Sequence, residues 1–175
     1  KMFNRFPFMK GISGAPTESQ YSYNIYAKGG PNGITLNTQH FKNWDKTAES
    51  YSHDVESSFH PANTDIRCIL YHEFAHTIDL GWLVQLNFGI GLRGIKTIAD
   101  NIKTEVLNKF KGPDSIPNEL SQYATKNANE FFAEGLGEAF NSESPRRFAK
   151  ECLRQVYKYS VIYKGYFDEK RNRSK

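Results

Sequence analysis

Tyr71-His72-Glu73-Phe74-Ala75-His76-Thr77-Ile78-Asp79 sets two histidines four residues apart in a largely apolar run. On an α-helix such residues stack one turn above each other, with Cβ atoms ~5–6 Å apart. Two imidazoles so placed can reach one metal ion at ~2.0–2.1 Å. Glu73 falls ~100° round the helix from His72, so it flanks the ion without being forced to ligate it. From there it can take a proton from a water on that ion. The plain alternative is a pair of core histidines with no metal.

Outward from this stretch, the helix is expected to open near Asn63 or Thr64, carry Asp65 in its first turn and stop at Gly81. His72, His76, Asp79 and Asp65 then form one polar line. Ile66, Ile69, Leu70, Phe74, Ala75 and Ile78 cover most of the remaining surface. A helix apolar nearly all round is buried. Buried polar groups need partners, and a metal would supply them here.

All five histidines lie at or before His76, so no later histidine can complete a metal site. The remaining supplier is a carboxylate. Asp79 lies one turn below His76 and is assigned to orienting a ligand imidazole or the N-terminal region. The better donor is the segment Tyr123-Ala124-Thr125-Lys126-Asn127-Ala128-Asn129-Glu130-Phe131-Phe132-Ala133-Glu134. Glu130, Glu134 and Glu138 share one helical face there, and Phe132, Leu136, Ala139 and Phe140 the other. Alone, three such glutamates would read as a solvated surface. Opposite a helix carrying two histidines, Glu130 becomes the third ligand. Glu134, one turn on, can accept the outer N–H of a ligand histidine, and Asn127 is grouped with it and Asp79 around the ligands. Gly135 and Gly137 suggest a close helix–helix approach.

The rest of the chain bounds the function. A length of 175 residues suits one domain spanning 1–175. Lys1-Met2-Phe3 carries no signal-peptide pattern and does not read as a natural initiation, which suggests a domain cut from a longer protein. No apolar run is long enough to span a bilayer. The 23 basic and 19 acidic residues are interspersed, without the basic–aromatic stripe of a nucleic-acid platform. Cys68 and Cys152 are the only cysteines, not in a C-x-x-C pair, and read as buried free thiols.

Strand-like runs at 21–26 and 34–38 flank Gly29-Gly30-Pro31-Asn32-Gly33, the pattern of a hairpin. Residues 39–63 read as a polar connecting segment whose His40, His53 and His60 carry no assigned chemistry. Residues 82–94 form a glycine-rich insert. Further helices are expected at 95–110, 126–141 and 144–164.

His72-Glu73-Phe74-Ala75-His76 followed by Asp79, then Tyr123, Asn127 and Glu130-Phe131-Phe132-Ala133-Glu134, resembles the catalytic domain of anthrax toxin lethal factor and related gluzincins. Phe59-His60-Pro61, just ahead of the motif helix, is similar to the zincin-like domains of phage minor head proteins and polymorphic toxins. The close match is confined to these short blocks, and the glycine-rich insert departs from it. The resemblance implies an α+β zincin-like fold with a small mixed or antiparallel sheet. An edge strand would lie over the cleft, and a second helix would carry the third ligand. It implies a zinc ion on His72, His76 and Glu130, Glu73 as general base, and Tyr123 as the oxyanion's hydrogen-bond donor. In such a fold 34–38 would be the sheet edge beside the cleft. Ile34, Thr35 and Leu36 would then take an extended peptide as an added strand; a plain hairpin is the alternative.

The expected function is therefore a zinc-dependent endopeptidase acting on a protein or peptide, with no nucleic-acid or membrane partner and a monomer favoured. A secreted or delivered effector, or a phage-associated domain, is favoured over a resident cytoplasmic enzyme. The rival is a zinc-stabilised structural or interaction domain, of a virion or toxin, without peptidase activity.

Overall fold

The computed structural model describes residues 15–17, 25–30, 33–86, 97–110 and 112–173. Within them the chain is mixed α and β and mostly helical.

Strands β2 (Ala27–Gly30) and β3 (Gly33–Asn37) form an antiparallel hairpin, and β1 (Ala15–Thr17) pairs parallel with the far side of β3. The order β1-β3-β2 makes β3 the middle strand. Ile34, Thr35 and Leu36 are thus not at the sheet edge, which corrects their expected place beside the cleft. β2 holds that position. Its Ala-Lys-Gly-Gly sequence reads as a turn, yet it packs as a strand against the motif helix. Of the expected run at 21–26, residues 21–24 lie outside the described residues. Ile25 and Tyr26 are not strand, although Tyr26 O accepts from Asn37 N at 2.9 Å.

Helices α1 (Thr38–Phe41) and α2 (Trp44–Glu56) occupy the segment expected to be a connection. Asn43 caps α2 by accepting from Lys46 N at 3.1 Å. The apolar signal of α2 is weak because only Thr47 and Tyr51 are buried.

The motif helix α3 runs Cys68–Leu86, shifted downstream of its expected bounds. Asn63 sits at φ 58°, and Thr64 Oγ1 donates to Pro61 O at 2.6 Å, so 61–64 is a turn. Asp65 is held there by Arg67 and Asn141. Gly81 does not stop the helix, because the apolar run after it continues the helical turn to Leu86. Of the insert at 82–94, residues 87–94 lie outside the described residues.

Helix α4 (Ile98–Phe110) opens on a reciprocal cap: Thr97 N donates to Asp100 Oδ2, and Asp100 N to Thr97 Oγ1, each at 3.0 Å. A 3-10 turn (Pro113–Ser115), a short α5 (Ile116–Glu119) and a second 3-10 turn (Tyr123–Thr125) lead into α6 (Ala128–Asn141), and α7 (Arg147–Arg173) follows.

Helices α3, α4, α6 and α7 enclose the main core, with Ile78, Ile102, Phe131, Phe132, Leu136 and Phe148 buried. A smaller core under the sheet holds Ala27, Tyr51, Ile66, Cys68 and Ile69. Helix α6 is buried at every position from Phe131 to Glu138. A Cβ on Gly137 would lie 2.8 Å from Cys68 Sγ, and one on Gly135 2.6 Å from Cys152 Sγ. Both cysteines are free and buried. These bare backbone faces let α6 approach its neighbours closely. Glu138, far from solvated, pairs with Arg146 at 2.8 Å.

Candidate metal centre

The close approach of α6 to α3 sets three side chains against each other. Asn127 caps α6, accepting from Glu130 N at 2.8 Å, and so fixes Glu130 in the first turn. From there Glu130 Oε2 stands 3.2 Å from His72 Nε2 and 3.2 Å from His76 Nε2. The two nitrogens are 3.1 Å apart. Ligands at ~2.0–2.1 Å from one ion in tetrahedral directions stand ~3.3–3.4 Å apart, close to this triangle. Glu130 Oε2 is buried without a well-directed hydrogen bond. An orphaned carboxylate oxygen facing two converging imidazole nitrogens is what an ion would satisfy. His72, His76 and Glu130 could therefore hold a metal ion.

The surroundings favour positive charge at this point. Burial opposes a charge on His72, but Glu130 and Glu134 outweigh it and raise its pKa to about 10. Burial also opposes ionisation of Glu130, yet His72 and His76 hold its carboxyl well below the ordinary range. Glu134 is likewise held down to about 2, against its burial, by His60 and His72. A divalent cation fits such a donor set, with imidazoles neutral and carboxylates ionised.

Behind His72, Glu134 Oε1 lies 2.7 Å from Nδ1. Its other oxygen takes a 2.7 Å bond from Ser121 Oγ, and His60 Nδ1 stands 3.3 Å from Oε1. With Nδ1 bonded to a carboxylate, His72 keeps Nε2 turned to the ion site. Asp79 does not hydrogen-bond either imidazole. It accepts from Ala99 N at 3.0 Å and Asn129 Nδ2 at 2.8 Å, tying the start of α4 and the first turn of α6 to α3.

Glu73 is buried beside the ligand pair and accepts a hydrogen bond from Gly29 N. A Cβ on Gly29 would lie 2.1 Å from Glu73 O, so only glycine lets β2 come this close. Tyr123 leans in from the turn before α6: its hydroxyl donates to Glu130 Oε1 at 3.4 Å and accepts from Lys126 Nζ at 3.2 Å. Burial chiefly, with Glu130, raises its pKa.

The structure thus brings together His72, Glu73, His76, Tyr123, Asn127, Glu130 and Glu134, with Asp79 behind them. Ile34, Thr35 and Leu36 are not part of the group. Three contributors carry no local sequence signal: Gly29, Ser121 and His60. His60 stacks on Tyr51 with ring centroids 5.1 Å apart. The only hint was the Phe59-His60-Pro61 resemblance.

Comparison with family models, with curated proteins and with solved structures finds no match. Among the described residues no helix is long and apolar enough to cross a membrane.

Proposed function

We propose that the chain is a zinc-dependent endopeptidase of the gluzincin type with a zincin-like fold. One observation carries the proposal: two Nε2 atoms and Glu130 Oε2 converge within 3.2 Å of one another, with the Glu73 carboxyl buried beside them. His72, His76 and Glu130 would hold the zinc. When bound there, zinc supplies Lewis acidity, making water a nucleophile near neutral pH and polarising a carbonyl.

The chain's own residues supply the rest. Glu73 accepts the proton of the attacking water and passes it to the leaving amine. The Tyr123 hydroxyl donates a hydrogen bond to the oxygen on which negative charge builds. Glu134 fixes the ring of His72 so that its proton stays on Nδ1. β2 takes over the role expected of 34–36, aligning an extended peptide alongside α3. A delivered effector or phage-associated domain that cuts a protein target fits this chemistry.

The test is peptide cleavage by zinc-loaded protein and by its Glu73→Gln variant. Gln keeps the shape and removes the basicity. Cleavage by the wild type, lost in the variant while both hold one zinc per chain, is the expected result. A wild type that binds zinc and gains thermal stability, yet leaves every peptide intact, would instead establish the zinc-stabilised interaction domain.

A further inference from the structure

A cavity of about 470 Å³ opens next to the metal centre, with His72, Glu73 and Glu134 on one side of it. Its lining also includes residues of α2 and of the turn after it. Tyr26, Tyr51, Phe59 and His60 give it aromatic walls, and Asp54 adds a carboxylate. Among the described residues no lysine or arginine lines it.

Asp54 is held in place. Tyr26 donates its hydroxyl to Asp54 Oδ2 at 2.9 Å and also meets Ser50 Oγ at 3.0 Å. The Asp54 carbonyl takes the amides of Phe59 and His60 at 2.8 and 3.2 Å. Asp54 therefore anchors the turn that presents two of the aromatic walls. Among the described residues it has no lysine or arginine partner. The other two carboxylates are engaged: Glu134 with His60, His72 and Ser121, and Glu73 with Gly29.

We infer that this cavity receives a cationic side chain of the substrate, lysine or arginine, adjacent to the bond that is cut, and that Asp54 selects it. The inference rests on the peptidase reading. Aromatic faces attract a cation through their quadrupoles, and a fixed carboxylate adds a charge-assisted hydrogen bond. An acidic side chain would meet like charge. A purely apolar one would strip water from the charged Asp54 carboxylate and leave it the Tyr26 hydroxyl alone, which costs free energy.

The experiment uses zinc-loaded full chain and a set of peptides identical except at one residue, set to Lys, Arg, norleucine or Glu. Norleucine keeps the reach of lysine and removes the charge. Products are identified by mass spectrometry and kcat/KM is measured for each. The expected result is cleavage next to the varied residue, with Lys and Arg about tenfold or more above norleucine and Glu the poorest. Asp54→Asn, which keeps the Tyr26 bond, should bring the Lys-to-norleucine ratio to near one. Glu49→Gln, an exposed acid on the same helix, should leave that ratio unchanged. A second arm reads binding alone, comparing zinc-loaded Glu73→Gln with Glu73→Gln/Asp54→Asn. The Lys peptide should bind the first more tightly than the norleucine peptide does, and the second should not discriminate. Cleavage without a cationic preference, or a preference that survives Asp54→Asn, overturns the inference and leaves the peptidase standing. No cleavage of any peptide overturns the peptidase, and equal binding of the Lys and norleucine peptides in the second arm then overturns the role of Asp54 as well.

Discussion

His72 Nδ1 and Glu134 Oε1 lie 2.7 Å apart, both side chains buried, while the opposite nitrogen of the same ring faces His76 and Glu130. The carboxylate behind the ring thus decides which nitrogen carries a proton and which is offered to an ion.

Glu134→Gln should weaken zinc binding by ~10–100-fold, the usual loss when a carboxylate behind a ligand histidine is removed. Gln keeps the volume and can still accept a bond, so the effect isolates charge. Competition with a chromogenic chelator measures it. An unchanged zinc affinity would mean that Glu134 serves only the fold.

Tyr123→Phe should lower kcat by ~10²–10³-fold, as for other oxyanion donors, while zinc content and melting temperature hold. Phe keeps nearly all of the buried ring. If the ring is merely a plug under the turn, with its hydroxyl bonded internally, stability should instead fall by ~1 kcal/mol and kcat should hold.

Gly29→Ala forces a methyl against the Glu73 carbonyl, where a Cβ would sit 2.1 Å from the oxygen. β2 must then move off α3, at a cost of ~1–3 kcal/mol in stability. Turnover should fall because Glu73 loses the Gly29 amide. Gly30→Ala is the control: its Cβ would find nothing nearer than Gly33 O at 3.9 Å. Thermal melts of the two variants should differ clearly, and equal melts would refute the close approach.

Glu151 links α7 to α4 through Lys109 Nζ at 2.6 Å and also bonds Arg154 and Gln155. Arg154 foremost, then Lys109 and Gln155 against the burial, lower its pKa from 4.5 to about 2. A depressed carboxyl stabilises the fold above its unfolded pKa and loses that contribution as pH falls through the folded value. Glu151→Gln should therefore cost ~1–3 kcal/mol at pH 7, and the gap to wild type should close between pH 4.5 and pH 2. Urea melts at pH 7, 4 and 2.5 would show it; a gap independent of pH would assign the loss to packing.

What could be read from the sequence was what a helix encodes locally. The four-residue step from His72 to His76 and the matching step from Glu130 to Glu134 need only helical periodicity. The absence of any histidine after His76 pointed to a carboxylate. What escaped depends on contacts between distant segments. Gly29-Gly30 reads as a turn because glycine is poor in strands, but the deciding factor is the helix against which the strand lies. β3 became the middle strand because β1, from 15–17, pairs along its other side, a partner that no local pattern announces. His60 reaches Glu134 across 74 residues, a pairing with no local signature. Helix α2 was missed because its buried stripe is one threonine and one tyrosine.

The candidate metal centre draws on Gly29, His60, the His72–His76 turn, Ser121 and the Glu130–Glu134 turn, so no short stretch of chain holds the whole set. Its parts meet only when the strand, α3 and α6 are all docked. A nascent or partly unfolded chain would lack the proposed chemistry for that reason alone. On the proposed reading, competence would arrive only with tertiary assembly, and capture of an ion would then stabilise the assembled state. The fold itself would be the safety catch on the chemistry proposed for it.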